Sequence, residues 1–379
     1  MHRSVTSLAL ATVFLAACIP CVADWPVACH DLARTGIADG AAPAGTEVVW
    51  ATNLGGSVDG SPIVVGERVY VGTSAGKFAA LSRADGSVIW TRDTGGAIVG
   101  AACVAGDRVF VGCGSGMVHA LRTDTGELLW SHRTNRPVLG ALVALDDAVI
   151  IGSIDGTLRS VNATDGRLRW IIEPAGSISA PPAVRDGILY YGDEAGLVCA
   201  RRVSDGSLVW QAKVAGSIVG APTLVGDWLY VPLMSFSALS PPATEFICAF
   251  SAADGARPWH IQKPQAQSVM ASPAILDTTL WAFVVEGYTS SGILRGLNIG
   301  TGEQFIEIKL GTLVVDGALA IAGDTLYFAA QDGQLYVCDA RTGAVRTRLR
   351  LGGPVFSSPA ISDGLLYVGC QDGKLYCVR

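Results

Sequence analysis

The stretch that decides the fold reads Ala120-Leu-Arg-Thr-Asp-Thr-Gly126-Glu-Leu-Leu-Trp130. Its tryptophan belongs to a series that recurs every 40 residues and then once after 49: Trp50, Trp90, Trp130, Trp170, Trp210 and Trp259. A glycine stands four residues before the last five of these: Gly86, Gly126, Gly166, Gly206 and Gly255. The frame continues at Gly302 and Gly343, where Ile306 and Thr347 replace the tryptophan. Counted from Trp50, the period gives eight units and indicates a repeat architecture.

Each unit predicts four short β-strands. In the first unit, period-two apolar stretches cover 61–65, 68–72, 77–81 and 87–92, and Gly, Asp and Ser separate them. Asp-Gly pairs such as Asp155-Gly156 supply the positive φ of tight hairpins. No segment has a helical period long enough for a core helix. The sequence therefore predicts an all-β protein, an eight-bladed β-propeller of four-stranded blades.

The two chain ends predict how the ring closes. The last unit stops at Arg379 without a fourth strand, whereas 47–50 is an isolated strand that ends in the expected tryptophan. We expect this N-terminal strand to complete the last blade, which removes an exposed sheet edge. Five prolines share one register, which we assign to the first strand at the channel edge, because proline cannot donate to a ladder: Pro62, Pro182, Pro222, Pro273 and Pro359.

The repeated tryptophans and glycines have a physical reason to occur together. An indole ring fills the wedge between neighbouring blades, and a glycine without Cβ lets that ring lie flat against its backbone. We therefore predict that all six tryptophans and the five glycines before them are structural blade-docking residues.

The 120–130 stretch resembles the tryptophan-docking motif of the quinoprotein (PQQ-like) β-propeller family, and Ala80, Ala200 and Ala249 hold its leading position in other units. The resemblance covers about residues 25–379 and implies eight four-stranded blades. One branch of the family comprises dehydrogenases that bind PQQ with calcium beneath a vicinal disulfide. This chain has no adjacent cysteine pair, so we expect no cofactor. The other, BamB-like branch comprises binding proteins and includes the propeller lipoprotein of outer-membrane protein assembly.

The N-terminus predicts export. A short basic start and the apolar run from Leu8 to Ala17 are typical of a signal peptide over residues 1–17, too short for a membrane span. Leu15-Ala-Ala-Cys18 resembles a lipobox, in which Cys18 is lipidated; cleavage after Ala23 is the alternative. Residues 24–45 are then an N-terminal extension and 46–379 a single propeller domain. We expect a periplasmic or outer-membrane lipoprotein, or a secreted protein, whose one membrane contact is the lipid.

Composition excludes several function classes. Half of the 379 residues are hydrophobic, 16% are charged and the net charge is −6, without the basic clusters that nucleic acid requires. Five histidines show no metal-ligand spacing, and no phosphate loop, calcium loop or nucleophile elbow occurs. The cysteines of the mature chain lie singly, mostly in apolar strands, and are expected to pack as buried thiols. We expect a monomer without enzyme activity.

Alignment of the units predicts a binding surface at the channel mouth. One register just before the first strand contains Asp59, Val99, Leu139, Ser179, Val219, Met270, Asp316 and Phe356. The same face should carry two loop insertions, whose candidate residues are Leu233, Met234, Phe236, Leu239 and Glu245 in one and Glu286 and Tyr288 in the other. The alternatives are that the ring residues plug the channel for stability and that the loops have no function.

Three hypotheses follow. The first is a non-catalytic cell-envelope scaffold that binds proteins of the envelope through this face. The second is a PQQ-dependent oxidoreductase. The third is a sensor of a small ligand at the channel mouth.

Overall fold

The computed structural model describes residues 24–140, 142–234, 244–263, 267–269, 271–286, 291–311 and 315–379. These residues form 34 β-strands and no helix, so none of them provides a helix that could cross a membrane. The strands assemble into eight antiparallel sheets, which confirms the predicted eight-bladed propeller.

Each blade has four strands, ordered from the channel to the outside. The first four blades are β3 (Ile63–Val65), β4 (Arg68–Gly72), β5 (Lys77–Ser82), β6 (Val88–Asp93); β7 (Cys103–Ala105), β8 (Arg108–Gly112), β9 (Met117–Arg122), β10 (Leu128–Arg133); β11 (Val143–Ala144), β12 (Ala148–Gly152), β13 (Leu158–Asn162), β14 (Leu168–Ile172); and β15 (Ala183–Arg185), β16 (Ile188–Gly192), β17 (Leu197–Arg202), β18 (Leu208–Lys213). The second and third strands are mostly buried on both faces, whereas the outer strand alternates between exposed and packed positions.

The remaining blades follow the same order with small additions. They are β19 (Thr223–Val225), β20 (Trp228–Pro232), β21 (Thr244–Ser251), β22 (Trp259–Lys263); β24 (Ala274–Leu276), β25 (Thr279–Glu286), β26 (Ser291–Asn298), β27 (Gln304–Lys309); β28 (Ala320–Ala322), β29 (Thr325–Ala329), β30 (Gln334–Asp339), β31 (Val345–Arg350); and β32 (Ala360–Ser362), β33 (Leu365–Gly369), β34 (Lys374–Val378), β2 (Val48–Asn53). The short β23 (Gln267–Ser268) also pairs with β25, and β1 (Ile37–Ala38) pairs in parallel with β28.

The ring closes as predicted. Strand β2 pairs antiparallel with β34, so Trp50 lies opposite Cys377 and Asn53 opposite Lys374. The outer strand of blade eight therefore comes from the N-terminal part of the chain, and this pairing joins the two ends in one sheet.

Neighbouring blades are joined by the repeated indoles. The ring of Trp90 lies so close to the Gly126 backbone that a Cβ there would stand 2.6 Å from the ring, and Trp90 Nε1 donates to Thr123 O at 3.0 Å. The same pairing joins Trp50 to Gly86, Trp130 to Gly166, Trp170 to Gly206, Trp210 to Gly255 and Trp259 to Gly302. The rings are buried or half-buried.

The junction between blades six and seven uses the recurring aromatic position of the second strand, which Tyr190 and Tyr230 hold in other blades. Ile306 occupies the usual tryptophan position, and Trp281 of β25 reaches the next blade instead. Its Nε1 donates to Ala340 O at 2.8 Å, and its ring would lie 2.8 Å from a Cβ at Gly343. Trp281 is fully buried, so a tryptophan from another strand fills this wedge.

The segment 24–38, here called the strap, runs along the inner edges of the blades. Trp25 exchanges two backbone hydrogen bonds with Val64 of blade one, and the carbonyls of Pro26, Leu32, Ala33 and Gly36 accept from blades two, four, five and seven. The inner sheet edge is therefore partly paired. The prolines predicted within the first strands stand one residue before them, so those strands begin later than expected.

Candidate functional site

Seven residues of the predicted mouth register line one cavity of about 450 Å³ at the centre of one face. They are Asp59, Val99, Leu139, Ser179, Val219, Asp316 and Phe356. The hairpins between second and third strands bound the same face, because Ser74 N donates to Ser57 O and Gly114 N to Ala97 O, each at 2.8 Å. The repeat thus brings one side chain from each of seven blades to a common site.

Glycines allow the blades to converge tightly around this cavity. A Cβ at Gly100 would stand 2.7 Å from Gly140 O, and one at Gly317 would stand 2.6 Å from Ser357 O. Both contacts are with backbone of the next blade, which cannot give way easily. The rim is therefore narrow and preformed.

Serine hydroxyls tie adjacent blades together inside the rim. Ser272 Oγ accepts from Ala221 N at 3.1 Å, Ser358 Oγ accepts from Ala318 N at 2.9 Å, and Ser61 Oγ accepts from Ser358 N at 2.9 Å. These three hydroxyls satisfy buried or half-buried backbone donors, so we assign them a structural role.

The strap supplies the floor of the cavity through Ala28 and Cys29. Beneath it lies Arg34, whose side chain is fully buried and whose Nε donates to Pro182 O at 3.1 Å. A second guanidinium nitrogen of Arg34 donates to Ala28 O at 2.5 Å. Burial lowers the pKa of Arg34 and, as the largest effect, raises that of the Cys29 thiol. Cys29 at the floor is therefore held as a protonated thiol.

One wall of the cavity is acidic and aromatic. Phe356 comes from blade eight, between the blades that carry Asp316 and Asp59. Gln331 Nε2 donates to Asp316 at 2.6 Å, and Gln371 Nε2 donates to Asp59 at 3.2 Å. Each amide restrains a carboxylate without neutralising its charge.

Most of the remaining ring is aliphatic. Val99 and Leu139, from blades two and three, are 44% and 37% exposed although both are large apolar side chains. Val219 of blade five is half-buried and is separated from them by Ser179 of blade four. The described lining contains no lysine or arginine. The cavity thus combines an apolar surface with two carboxylates that have no basic partner in the described lining.

A family model described as "Beta-alanine-activating enzyme, beta-propeller" matches residues 46–379. The chain belongs to this propeller family. Among curated proteins, the mouse beta-alanine-activating enzyme is 40% identical over 50 residues, and the zebrafish protein is 36% identical over 66 residues. These matches cover 13% and 17% of this chain but 4% and 6% of the relatives' length.

Solved structures confirm the resemblance to quinoprotein propellers at the level of fold. BamB from Moraxella catarrhalis has a TM-score of 0.72 at 20% identity and covers 87% of this chain and 96% of its own. Quinohemoprotein alcohol dehydrogenase from Comamonas testosteroni has a TM-score of 0.73 at 15% identity, over 93% and 80% of the two chains. BamB and an alcohol dehydrogenase thus share this architecture, so the fold alone does not decide the function of this chain.

The other predicted surface residues of this family member fall into three groups. Leu233 is fully buried in the core between blades four and five, so its inclusion in an exposed binding surface is wrong. Met234 is half-buried and pairs through its backbone with Ser217. Cys18, Phe236, Leu239, Met270 and Tyr288 lie outside the described residues, as do the side chains of Glu245 and Glu286.

The cysteines and possible metal ligands of the described part of the propeller are also predicted, from their spacing, to form no site. Its His, Cys, Asp and Glu residues form no group of three that could hold a metal ion, and its eight cysteines are all buried thiols. Burial acts to raise the pKa of Cys113, but hydrogen bonds with His119 and Ser115 lower it to about 7. Cys113 has no exposed surface, so this thiol is out of reach of a substrate.

Proposed function

We propose that this propeller is a non-catalytic binding protein of the cell envelope, which engages a protein partner through the face around the channel mouth. The observation that carries the proposal is the exposure of Val99 and Leu139 at the centre of that face. Large apolar side chains on a rigid rim, surrounded by polar groups, are typical of interaction sites.

The chemistry of the cavity favours binding over catalysis. Its lining combines carboxylates, serines and apolar groups, and its one thiol, Cys29, has a raised pKa. PQQ carries several carboxylates and is held best by cationic side chains. The described lining has none and instead presents Asp59 and Asp316, so these residues do not fit the quinone.

The predicted export signal and the family relationship bear on the location and the activity that we propose. The predicted signal peptide supports an envelope location, with Cys18 as the lipid anchor. We assign no beta-alanine activation to this chain, since its matches with those enzymes cover at most 6% of their length.

A crosslinking pull-down from envelope extract tests the proposal. The wild-type chain is compared with the double variant Val99→Ser/Leu139→Ser, which removes apolar surface from the mouth. The matched control is Val88→Ser/Ile89→Ser, because these residues are 46% and 45% exposed on an outer strand. We expect the mouth variant to lose the crosslinked partner and the control to keep it. Equal capture by both variants, or no specific partner for the wild type, would overturn the proposed function.

A further inference from the structure

We infer that the mouth cavity binds a positively charged organic group with an apolar stem, namely the side chain of a lysine or arginine that the partner presents. This inference rests on the proposed function, since it names what the partner inserts. It goes beyond a general interaction surface by assigning the central cavity its own ligand chemistry.

The charge of the cavity selects a cation. Asp59 and Asp316 line it from the two blades that flank blade eight, and no lysine or arginine stands among the described lining residues. Arg34 beneath the floor donates to two backbone carbonyls and makes no described ion pair with either carboxylate. Their only hydrogen-bond donors described within the site are the neutral amides of Gln371 and Gln331. An ammonium or guanidinium group is attracted by the negative charge of the two carboxylates, each restrained by its glutamine, and an anion is repelled.

The shape and the remaining walls select an organic cation over a bare metal ion. Phe356 lies in the ring between the two carboxylates, and an aromatic face attracts organic cations. Val99, Leu139 and Val219, from blades two, three and five, add apolar side chains to the lining, against which a methylene stem can pack. Two carboxylates on separate blades are too few oxygen ligands for calcium. A volume of about 450 Å³ lies in the range of about 300–1,000 Å³ that is usual for ligand sites.

One unsatisfied group in the lining agrees with a polar ligand. The hydroxyl of Ser179 is buried and has no hydrogen-bond partner among the described residues. Ser61, Ser272 and Ser358, in contrast, all bond to backbone. The oxygen itself has almost no accessible surface, so it can accept an N–H of the bound cation only after the side chain rotates about its Cα–Cβ bond.

Calorimetry with defined probes tests the inference directly. The probes are an uncharged-ended peptide with one central lysine, its arginine and norleucine counterparts, and a free alkylamine. We expect the lysine and arginine peptides to bind and the norleucine peptide not to bind, with affinity that falls as salt rises. Binding of the alkylamine as well as the peptides would support the inference and would indicate that the cavity recognises the cationic group without the peptide backbone.

Paired variants locate the site. Asp59→Asn/Asp316→Asn should weaken binding of the lysine peptide on the order of tenfold or more, because the negative charge that attracts the cation is lost. Glu127→Gln/Glu173→Gln removes the same charge from exposed outer positions and should leave binding unchanged. Far-ultraviolet circular dichroism establishes that both variants are folded. Equal binding of the norleucine peptide, or equal loss in both variants, would refute the inference.

The two proposals fail in different ways. If the aspartate variant still captures the crosslinked partner as the wild type does, the cation site is refuted and the binding surface remains. If the peptides bind as expected but no partner is captured, the cavity is a cation site and the proposed protein-binding function is refuted.

Discussion

At the scale of single residues, the glycine of the docking turn is the most sensitive position. Gly126 has φ +70°, and a Cβ there would also press on the Trp90 ring at 2.6 Å. We expect Gly126→Ala to lower the free energy of unfolding by about 2–5 kcal/mol, from left-handed backbone strain plus overpacking. Urea unfolding followed by tryptophan fluorescence measures the change.

Substitution of a second glycine in the same blade distinguishes backbone strain from overpacking against the indole ring. Gly106 has φ +58°, but a Cβ added there would meet no atom within 4 Å. Gly106→Ala should therefore cost about 1–2 kcal/mol, the strain alone. If both substitutions cost the same, contact with the indole ring contributes nothing and the docking role of Gly126 is wrong.

Trp281 marks the limit of what a residue pattern can predict. Six tryptophans follow the period, and their wedge positions could be predicted because spacing alone places them on equivalent strands. Trp281 lies on the second strand of its blade, in a different register that Tyr190 and Tyr230 hold in other blades. Its donation to Ala340 O becomes apparent only when the neighbouring blade is in place. The gap at Ile306 was a sequence signal that some substitute is needed, but not which residue supplies it.

At the scale of elements, the strap is the part that the sequence did not reveal. Residues 24–38 have no period, so the sequence predicted only an extension, although Trp25 and Arg34 are almost completely buried in the structure. The mouth ring, in contrast, could be predicted from the register, because equivalent positions in a circular repeat converge on the axis. Loop residues such as Leu233 could not, since their burial depends on how an insertion folds back.

The strap makes a testable contribution to the inner strands. Deletion of residues 24–36 would remove the backbone acceptors of five inner-strand N–H groups, those of Val64, Val104, Val184, Leu224 and Ile321. We expect several-fold faster hydrogen exchange in the first strands of blades one, two, four, five and seven, because each loses a hydrogen bond and local burial. Mass spectrometry of peptides from these strands measures the rates.

The outer strands provide an internal control for this deletion. Strands β6 and β10 pair only with their own blades, so their exchange should change less than that of the inner strands. Uniform acceleration throughout the chain would mean that the strap stabilises the whole ring. No acceleration anywhere would contradict its role at the inner edge.

At the scale of the whole molecule, a hydrogen-bonded aspartate recurs in equivalent turns of several blades. The carboxylates of Asp85, Asp205 and Asp254 lie in equivalent turns, where each accepts the backbone N–H two residues later. Serine side chains hydrogen-bonded to these carboxylates lower their pKa values below the usual 3.8. Arg346 lowers the pKa of Asp339 in the same turn of blade seven. A small favourable effect is thus repeated around the ring.

The sign of these shifts predicts how the propeller responds to acid. Each folded pKa lies below the unfolded value, so the unfolded chain binds more protons as pH falls. The stabilisation is complete above about pH 4 and is lost as pH falls further, through the folded pKa values. Urea midpoints should therefore decrease most steeply below pH 4, and Asp205→Asn should flatten that decrease because it removes one titrating group while keeping an acceptor. A midpoint that stays constant down to pH 2 would show that these turns contribute no acid-sensitive stability.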